Sequence, residues 1–262
     1  MKDLHVVLTG AAAGIGAETA RLLRRQGARL TLLDRQQPTD APALGERFLM
    51  LDQGDRGSID AAVAAIDAPV DALINVAGVP PRPGQAVSVL NINFRGLRRL
   101  TLGLLPRLTP GASIVNVSSR AGMRWREHLP QVMALLDLPD DADLAAFVAA
   151  QGIDDVRSYD LSKEAVTVWG LQQCEPLIAR GLRMNSVSPG AVDTAILGDF
   201  LAAFGDRARP MIARVGRPAR AAEVAQVIVF LASPQSAWLK GLDLPVDGGT
   251  GALLACDALG LR

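Results

Sequence analysis

The chain has 262 residues, enough for one large α/β domain with a substantial core, and its 27 Lys and Arg balance its 27 Asp and Glu with no basic cluster interleaved with aromatics, which argues against nucleic acid or an anionic membrane as partner. Its two cysteines, Cys174 and Cys256, have no CxxC spacing and its two histidines, His5 and His128, stand alone, so neither a structural zinc site nor a disulfide framework is expected. Met1 to Leu8 has no basic region leading into a long apolar stretch, and no apolar run approaches the roughly 18 residues of a membrane span, so the chain reads as soluble and cytoplasmic with a small-molecule partner.

Leu4 to Thr9 is an apolar run that ends in Gly10-Ala11-Ala12-Ala13-Gly14-Ile15-Gly16, and a helical pattern follows from Ala17 to Gln26, closed by Gly27. Strand, glycine turn and helix in that order let a backbone lie close to a ligand, and a helix start offers unpaired N-H groups to a pyrophosphate. The strand Ala28 to Leu33 then ends at Asp34, eighteen residues past Gly16, where a dinucleotide fold places the acid that holds a ribose 2′-hydroxyl. Asp34 should repel a 2′-phosphate and favour NAD over NADP, although Arg35 beside it could pair with that phosphate.

Strands and helices keep alternating, the pattern of a parallel sheet covered on both faces. Arg47 to Leu51 reads as a third strand running into Asp52-Gln53, Ser58 to Ile66 as a helix capped by Ser58, and Val70 to Asn75 as a fourth strand leading into Val76-Ala77-Gly78. Pro80-Pro81-Arg82-Pro83-Gly84 must be loop. Leu90 to Leu108 reads as a long helix carrying Asn91 and Asn93, and Ala112 to Val117 as a fifth strand ending in Ser118-Ser119. Asn75, Ser118 and Ser119 thus stand at strand ends, where an open α/β sheet places its crevice; turn capping would place serines there too.

Between Gly122 and Val156, Pro130 opens one short amphipathic helix and Asp140-Asp141 cap a second, stopped by Gly152. Their apolar faces could cover a substrate crevice, a second subunit or simply the parent domain. A helix to about Arg180 follows, bearing Tyr159, the chain's single tyrosine, with Lys163 four positions on and so on the same face. A phenol titrates near pH 10, and a neighbouring cation is what would bring it into use as an acid or base. Leu182 to Val187 is a sixth strand, running into Ser188 to Thr194 with Pro189, Gly190 and Val192. The apolar stretch Ala195 to Arg214 suits a lid over a hydrophobic substrate, or a buried helix face. Ala221 to Ala232 is read as the final helix and Leu242 to Val246 as a seventh strand, before Asp247-Gly248-Gly249. A Ser-His-Asp hydrolase would rest on His128 alone, and a GxSxG elbow is absent.

Taken in register, Thr9-Gly10 with Gly14-Ile15-Gly16, Asp52, Asn75-Val76-Ala77-Gly78, Asn93, Ser119, Tyr159 with Lys163, Pro189-Gly190 with Thr194, and Asp247-Gly248-Gly249 resemble the short-chain dehydrogenases/reductases over nearly the whole chain. The resemblance implies one Rossmann-type domain over residues 1–262, a doubly wound sheet of seven parallel strands with a helical insertion at about 123–156 and a substrate lid at about 194–215. It also implies a nicotinamide cofactor and a catalytic group of Asn93, Ser119, Tyr159 and Lys163. The cofactor would be held by Gly10, Gly14, Ile15, Gly16, Asp34, Arg35, Asp52, Gln53, Asn75, Ala77, Gly78, Tyr159, Lys163, Pro189, Gly190, Val192 and Thr194. Asp52 would meet the adenine, Thr194 the nicotinamide carboxamide or phosphate, and Asn93 a water that links Lys163 to solvent.

Asn75-Val76 stands where two asparagines are usual in the family. The forty-residue separation of Ser119 and Tyr159 resembles the branch that contains bacterial 3α-hydroxysteroid dehydrogenase and coniferyl alcohol dehydrogenase, and implies a homodimer in preference to the usual homotetramer. The expected activity is NAD-dependent interconversion of a hydrophobic alcohol (steroid, terpenoid, alicyclic or aromatic) and its carbonyl compound, with Tyr159 as acid/base. The alternative is a catalytically inactive dinucleotide sensor on the same fold.

Overall fold

Strands that are apolar on both sides need helices on both faces, and the order of elements supplies them. In the computed structural model, which describes residues 1–38 and 45–261, the first half of the chain runs β1 (His5–Thr9), α1 (Gly14–Arg25), β2 (Arg29–Asp34), β3 (Arg47–Met50), α2 (Arg56–Ala65), β4 (Val70–Asn75), α3 (Ala86–Leu90), a π-helical turn (Asn91–Gly96), α4 (Leu97–Leu104) and β5 (Leu108–Val117). The second half runs α5 (Leu129–Leu136), α6 (Leu144–Ala150), α7 (Asp155–Gln172), α8 (Cys174–Ala179), β6 (Arg183–Pro189), β7 (Val192–Asp193), α9 (Leu197–Val215), β8 (Ala219–Arg220), α10 (Ala221–Ala232), β9 (Asp243–Val246) and α11 (Thr250–Leu259).

Seven strands form one parallel sheet in the order β3-β2-β1-β4-β5-β6-β9. The order reverses between β1 and β4, which opens a crevice at the carboxyl ends of those strands. Alternate residues of β1 enter opposite cores, as the two-residue strand period requires: Val7 packs with Leu73, Ile114, Phe94 and Trp169, and Val6 and Leu8 with Leu23, Ile74, Val224 and Ile228. The expected strands agree with the observed ones to within two residues, except that β5 begins at Leu108. The short β7–β8 pair was not anticipated. No helix among the described residues is long and apolar enough to cross a membrane.

The helices depart from expectation for identifiable reasons. Asp55, not Ser58, caps α2: its Oδ1 accepts from Ser58 N at 2.6 Å, while the Ser58 hydroxyl accepts from Asp52 N at 2.9 Å. The expected helix from Leu90 to Leu108 starts earlier and is interrupted by the π turn, where Gln53 Nε2 takes the Ile92 carbonyl at 2.8 Å. Gly96 closes that turn, since a Cβ there would come within 1.9 Å of Gln53 O. Asp143, not Asp140-Asp141, caps α6, accepting from Ala145 N at 2.8 Å and Ala146 N at 3.2 Å; Asp140 pairs with Arg99 instead. The helix of Tyr159 breaks at Gln173 because Pro176 has no N-H and its ring would crowd the Gln172 carbonyl. Ala221 to Ala232 is not the final helix: the glycine-rich tail folds into α11, its start held by Asp247, which accepts from Gly249 N at 3.0 Å and Gly251 N at 2.8 Å.

The insertion helices cover the parent domain. Val132, Leu135, Leu136, Leu144 and Phe147 are buried in the same core as Leu161 and Trp169 of α7. Their polar anchor is Glu164, which is fully enclosed. One of its oxygens lies 2.6 Å from His128 Nδ1 and the other accepts from Arg157 Nη2 at 2.6 Å, while Arg157 Nε donates to Gln131 Oε1 at 2.7 Å. Removing one partner of a buried ion pair leaves the other uncompensated. Glu164→Ala should therefore lower the unfolding free energy by about 3 kcal/mol in a denaturant titration. Arg207→Ala, which removes a guanidinium half exposed in its pair with Asp160, should change it by less than about 1 kcal/mol.

Candidate active site

The carboxyl ends of β1 and β4 are brought into main-chain contact by residues without side chains. Gly10 has φ of +69°, and a Cβ on it would stand 2.7 Å from Ala77 N; a Cβ on Gly16 would stand 1.9 Å from Gly10 O. Thr9, fully buried, ties the two strand ends together, its hydroxyl accepting from Val76 N and Ala77 N at 3.1 Å each. α1 starts at Gly14 with no side-chain cap, which leaves its first N-H groups directed into the crevice, the arrangement an anionic ligand requires. Thr194, past β6, reaches this turn: its Cγ2 would be 3.2 Å from a Cβ on Gly14. Ile15 packs under the turn against the second core.

Asp34 lies beside the same turn, its Oδ2 accepting from Ala12 N at 2.9 Å and its Oδ1 from Gln36 N at 3.0 Å; Arg35 is exposed next to it. Asp52 folds back on its own turn, accepting from Gly54 N at 2.8 Å. Gln53 and Asn75 sit at the crevice by position, but their side chains turn inward. Besides Ile92 O, Gln53 reaches Ala77 O at 3.4 Å, and Asn75 Nδ2 donates to Thr101 Oγ1 at 2.9 Å and Asn116 Oδ1 at 2.8 Å. These amides brace the floor beneath the Asn75–Gly78 main chain. Pro189 and Gly190 close the far wall: Gly190 N donates to Val246 O at 3.1 Å, and a Cβ on Gly190 would lie 3.2 Å from Asp247 Cα. Val192 is buried beneath them in β7.

Four polar side chains converge above β4 and β5. Ser119 follows β5, its hydroxyl accepts from Ala121 N at 3.1 Å, and it stands close enough to Tyr159 to influence the phenol. Tyr159 is 6% exposed; burial pushes its phenol well above its ordinary range, and the neighbouring Ser119 hydroxyl opposes that rise. Lys163 is equally enclosed. Its Nζ donates to Val117 O at 2.9 Å and lies 5.7 Å from the Tyr159 ring centroid, and burial lowers its pKa to about 8. Asn93 in the π turn grips the main chain of Val79, with Oδ1 accepting from its N at 2.8 Å and Nδ2 donating to its O at 3.0 Å; Nδ2 also reaches Ser162 Oγ at 3.3 Å. The Asn93 side chain is thus fully engaged by protein. Gly78 stands between Asn93 and Lys163: a Cβ there would lie 3.2 Å from Asn93 Oδ1 and 3.6 Å from Lys163 Nζ. Gly122 lies behind Ser119, where a Cβ would come 2.8 Å from the Lys163 carbonyl carbon.

α9 lies over this group. The rings of Phe200 and Phe204 stand 5.2 Å and 5.8 Å from that of Tyr159 and are stacked on each other at 6.3 Å. Arg207 pairs with Asp160 at 3.2 Å, and Arg82 of the proline-rich loop with Asp199 at 2.8 Å. Sequence reading missed Thr9 as a clamp, the Glu164 anchor and the pairing of Arg120 with Asp247 at 3.0 Å. Apart from Arg157, which stands seven residues before Glu164 on the same helix, their partners lie far apart in sequence, where no local spacing signals them. No cluster of potential metal ligands exists among the described residues.

A short chain dehydrogenase family model matches residues 4–131, and one described as enoyl-(acyl carrier protein) reductase matches residues 143–251. The chain is 37% identical to coniferyl-alcohol dehydrogenase of Pseudomonas sp. strain HR199, over 95% of this chain and 97% of that one. It is 28% identical to 3-alpha-hydroxysteroid dehydrogenase/carbonyl reductase of Comamonas testosteroni, with the same coverage of each. Among solved structures, the 3-alpha-hydroxysteroid dehydrogenase of Pseudomonas sp. B-0831 complexed with NADH superposes with a TM-score of 0.81 at 33% identity, over 95% of this chain and 98% of that one. Crevice, glycine turn and these likenesses agree that the chain belongs to the short-chain dehydrogenase/reductase family of oxidoreductases.

Proposed function

We propose that the protein interconverts a hydrophobic alcohol and its carbonyl compound with NAD, using Tyr159 as the acid and base. The observation that carries this is the enclosure of Tyr159 and Lys163 beside Ser119, under the phenyl rings of Phe200 and Phe204. A substrate reaching the Tyr159 hydroxyl must take the place of those rings, which selects an apolar molecule. The alcohols named for the relatives from Pseudomonas and Comamonas support that class. The dinucleotide would be held by the uncapped start of α1, by Gly10, Gly14 and Gly16, by the main chain of Asn75 to Gly78, by Pro189 and Gly190, and by Thr194. Asp34, beside the turn, would hold the adenine ribose and disfavour a 2′-phosphate, which supports NAD over NADP. When bound, the nicotinamide supplies the hydride acceptor or donor.

The chain's own task is to move one proton and to steady the oxygen that loses or gains it. Tyr159 gives its hydroxyl proton to the carbonyl oxygen in reduction and takes it back in oxidation. Ser119, beside Tyr159, donates to the same oxygen as charge builds on it. Lys163, fixed by Val117 O, places a cation close to the phenol and so favours the phenolate. Asn93 locks Val79 and Ser162 and so keeps the wall facing Lys163 in place. Burial keeps Tyr159 protonated in the resting protein, which suits reduction; oxidation must first remove that proton.

Following NADH absorbance over a panel of steroid, cinnamyl-type, terpenoid and alicyclic alcohols and ketones, with NADP in parallel, tests the reading. Turnover of an apolar alcohol with NAD preferred is expected, Tyr159→Phe should abolish it while NADH binding persists, and near-parental turnover by that variant would refute the assignment. Lys163 carries its charge below pH about 8 and loses it above, so carbonyl reduction should hold level through neutral pH and decline past that point. Oxidation should peak at higher pH than reduction, because the buried phenol must ionise. Coincident pH optima for the two directions would contradict the assigned roles.

A further inference from the structure

Arg120 directly follows Ser119 and turns away from Tyr159, into the C-terminal part of the chain. Its Nε lies 3.0 Å from Asp247 Oδ2, with the Asp247 side chain 7% and the Arg120 side chain 18% exposed. Met123 Sδ accepts from Arg120 Nη2 at 3.3 Å. The same Asp247 carboxylate accepts from Gly249 N and Gly251 N, and the guanidinium lies close over Gly251, where a Cβ would stand 2.8 Å from Arg120 Nη2. Asp247 also packs on Gly190. A second carboxylate, Asp243 of β9, feels the Arg120 charge and accepts from Ser188 Oγ at 2.6 Å.

One guanidinium therefore joins the residue next to Ser119 to the end of β9, the start of α11 and, through Asp247, the loop at Gly190. The Ser119 hydroxyl accepts from Ala121 N and its carbonyl from Gly122 N at 3.0 Å, both bonds internal to the turn that Arg120 anchors. We infer that Arg120 is a positioning residue: its ion pair with Asp247 holds the Ser119 hydroxyl in place beside Tyr159 and makes the C-terminal helix part of the proton-handling machinery. The inference rests on the function proposed above. A misplacement of about 1 Å in such a group costs rate rather than binding.

The test is a double-mutant cycle on the alcohol turned over best by the parent, with NADH binding followed by fluorescence. Ser119→Ala should lower kcat about 100-fold. Arg120→Met should lower it about ten-fold or more with NADH affinity unchanged, and Arg120→Lys, which keeps a cation for Asp247, should recover most of that loss. In the Ser119→Ala background Arg120→Met should cost almost nothing further, because the hydroxyl that it positions is gone. A loss in Arg120→Met that multiplies with that of Ser119→Ala, or an unchanged kcat, overturns the inference and leaves the proposed reaction standing. Full activity in Ser119→Ala overturns both.

Discussion

Tyr159 and Lys163 are both withheld from water, and burial acts on them in opposite chemical senses: the phenol keeps its proton, the ammonium is urged to give its proton up. Neither is tolerable without specific support. Val117 O accepts from Lys163, Ser119 meets Tyr159, and the strand ends that supply both are fixed by a sheet whose central strands are sealed on both faces. The sealed sheet is what makes the pair possible, because a looser scaffold would let water in and return both groups to ordinary titration. α9 completes the enclosure from above with two aromatic rings and two ion pairs at its edges.

The crevice beside that pair is shaped by subtraction. Gly10, Gly16, Gly78, Gly96, Gly122 and Gly190 each stand where a Cβ would meet another part of the protein at or inside close contact. Four of these approaches join segments distant in sequence: β1 to β4, the π turn to Gln53, the turn after β5 to α7, and the end of β6 to the end of β9. Glycine at these positions acts less through turn flexibility than through proximity, letting main chain pack on main chain where side chains would hold elements apart.

Much of this was legible beforehand. The seven strands announced themselves as apolar runs ending in polar or glycine residues, and Tyr159 and Lys163 share a face because four residues nearly complete a helical turn. The glycine turn after β1 was readable for a similarly local reason. What stayed hidden depends on contacts across the fold. Gln53 and Asn75 occupy crevice positions, yet their amides are drawn inward by carbonyls and hydroxyls from other elements. The π turn arises because Gln53 reaches a helix some forty residues on. α11 was unreadable because glycines at its start argue against a helix, and only the Asp247 carboxylate, gathering the N-H groups of Gly249 and Gly251, makes it start there.

The anchoring of the insertion bears on how such a chain can change over time. A surface loop is ordinarily modular and can be shortened, lengthened or exchanged without disturbing what it crosses. Residues 123–156 lack that freedom, because Glu164 next to Lys163 depends on His128, and on an Arg157 braced by Gln131, for its partners. A chimera that imported a different insertion would take His128, and the Gln131 brace of Arg157, away from a carboxylate one residue from the lysine. The insertion and the α7 face beneath it are therefore best inherited as a unit.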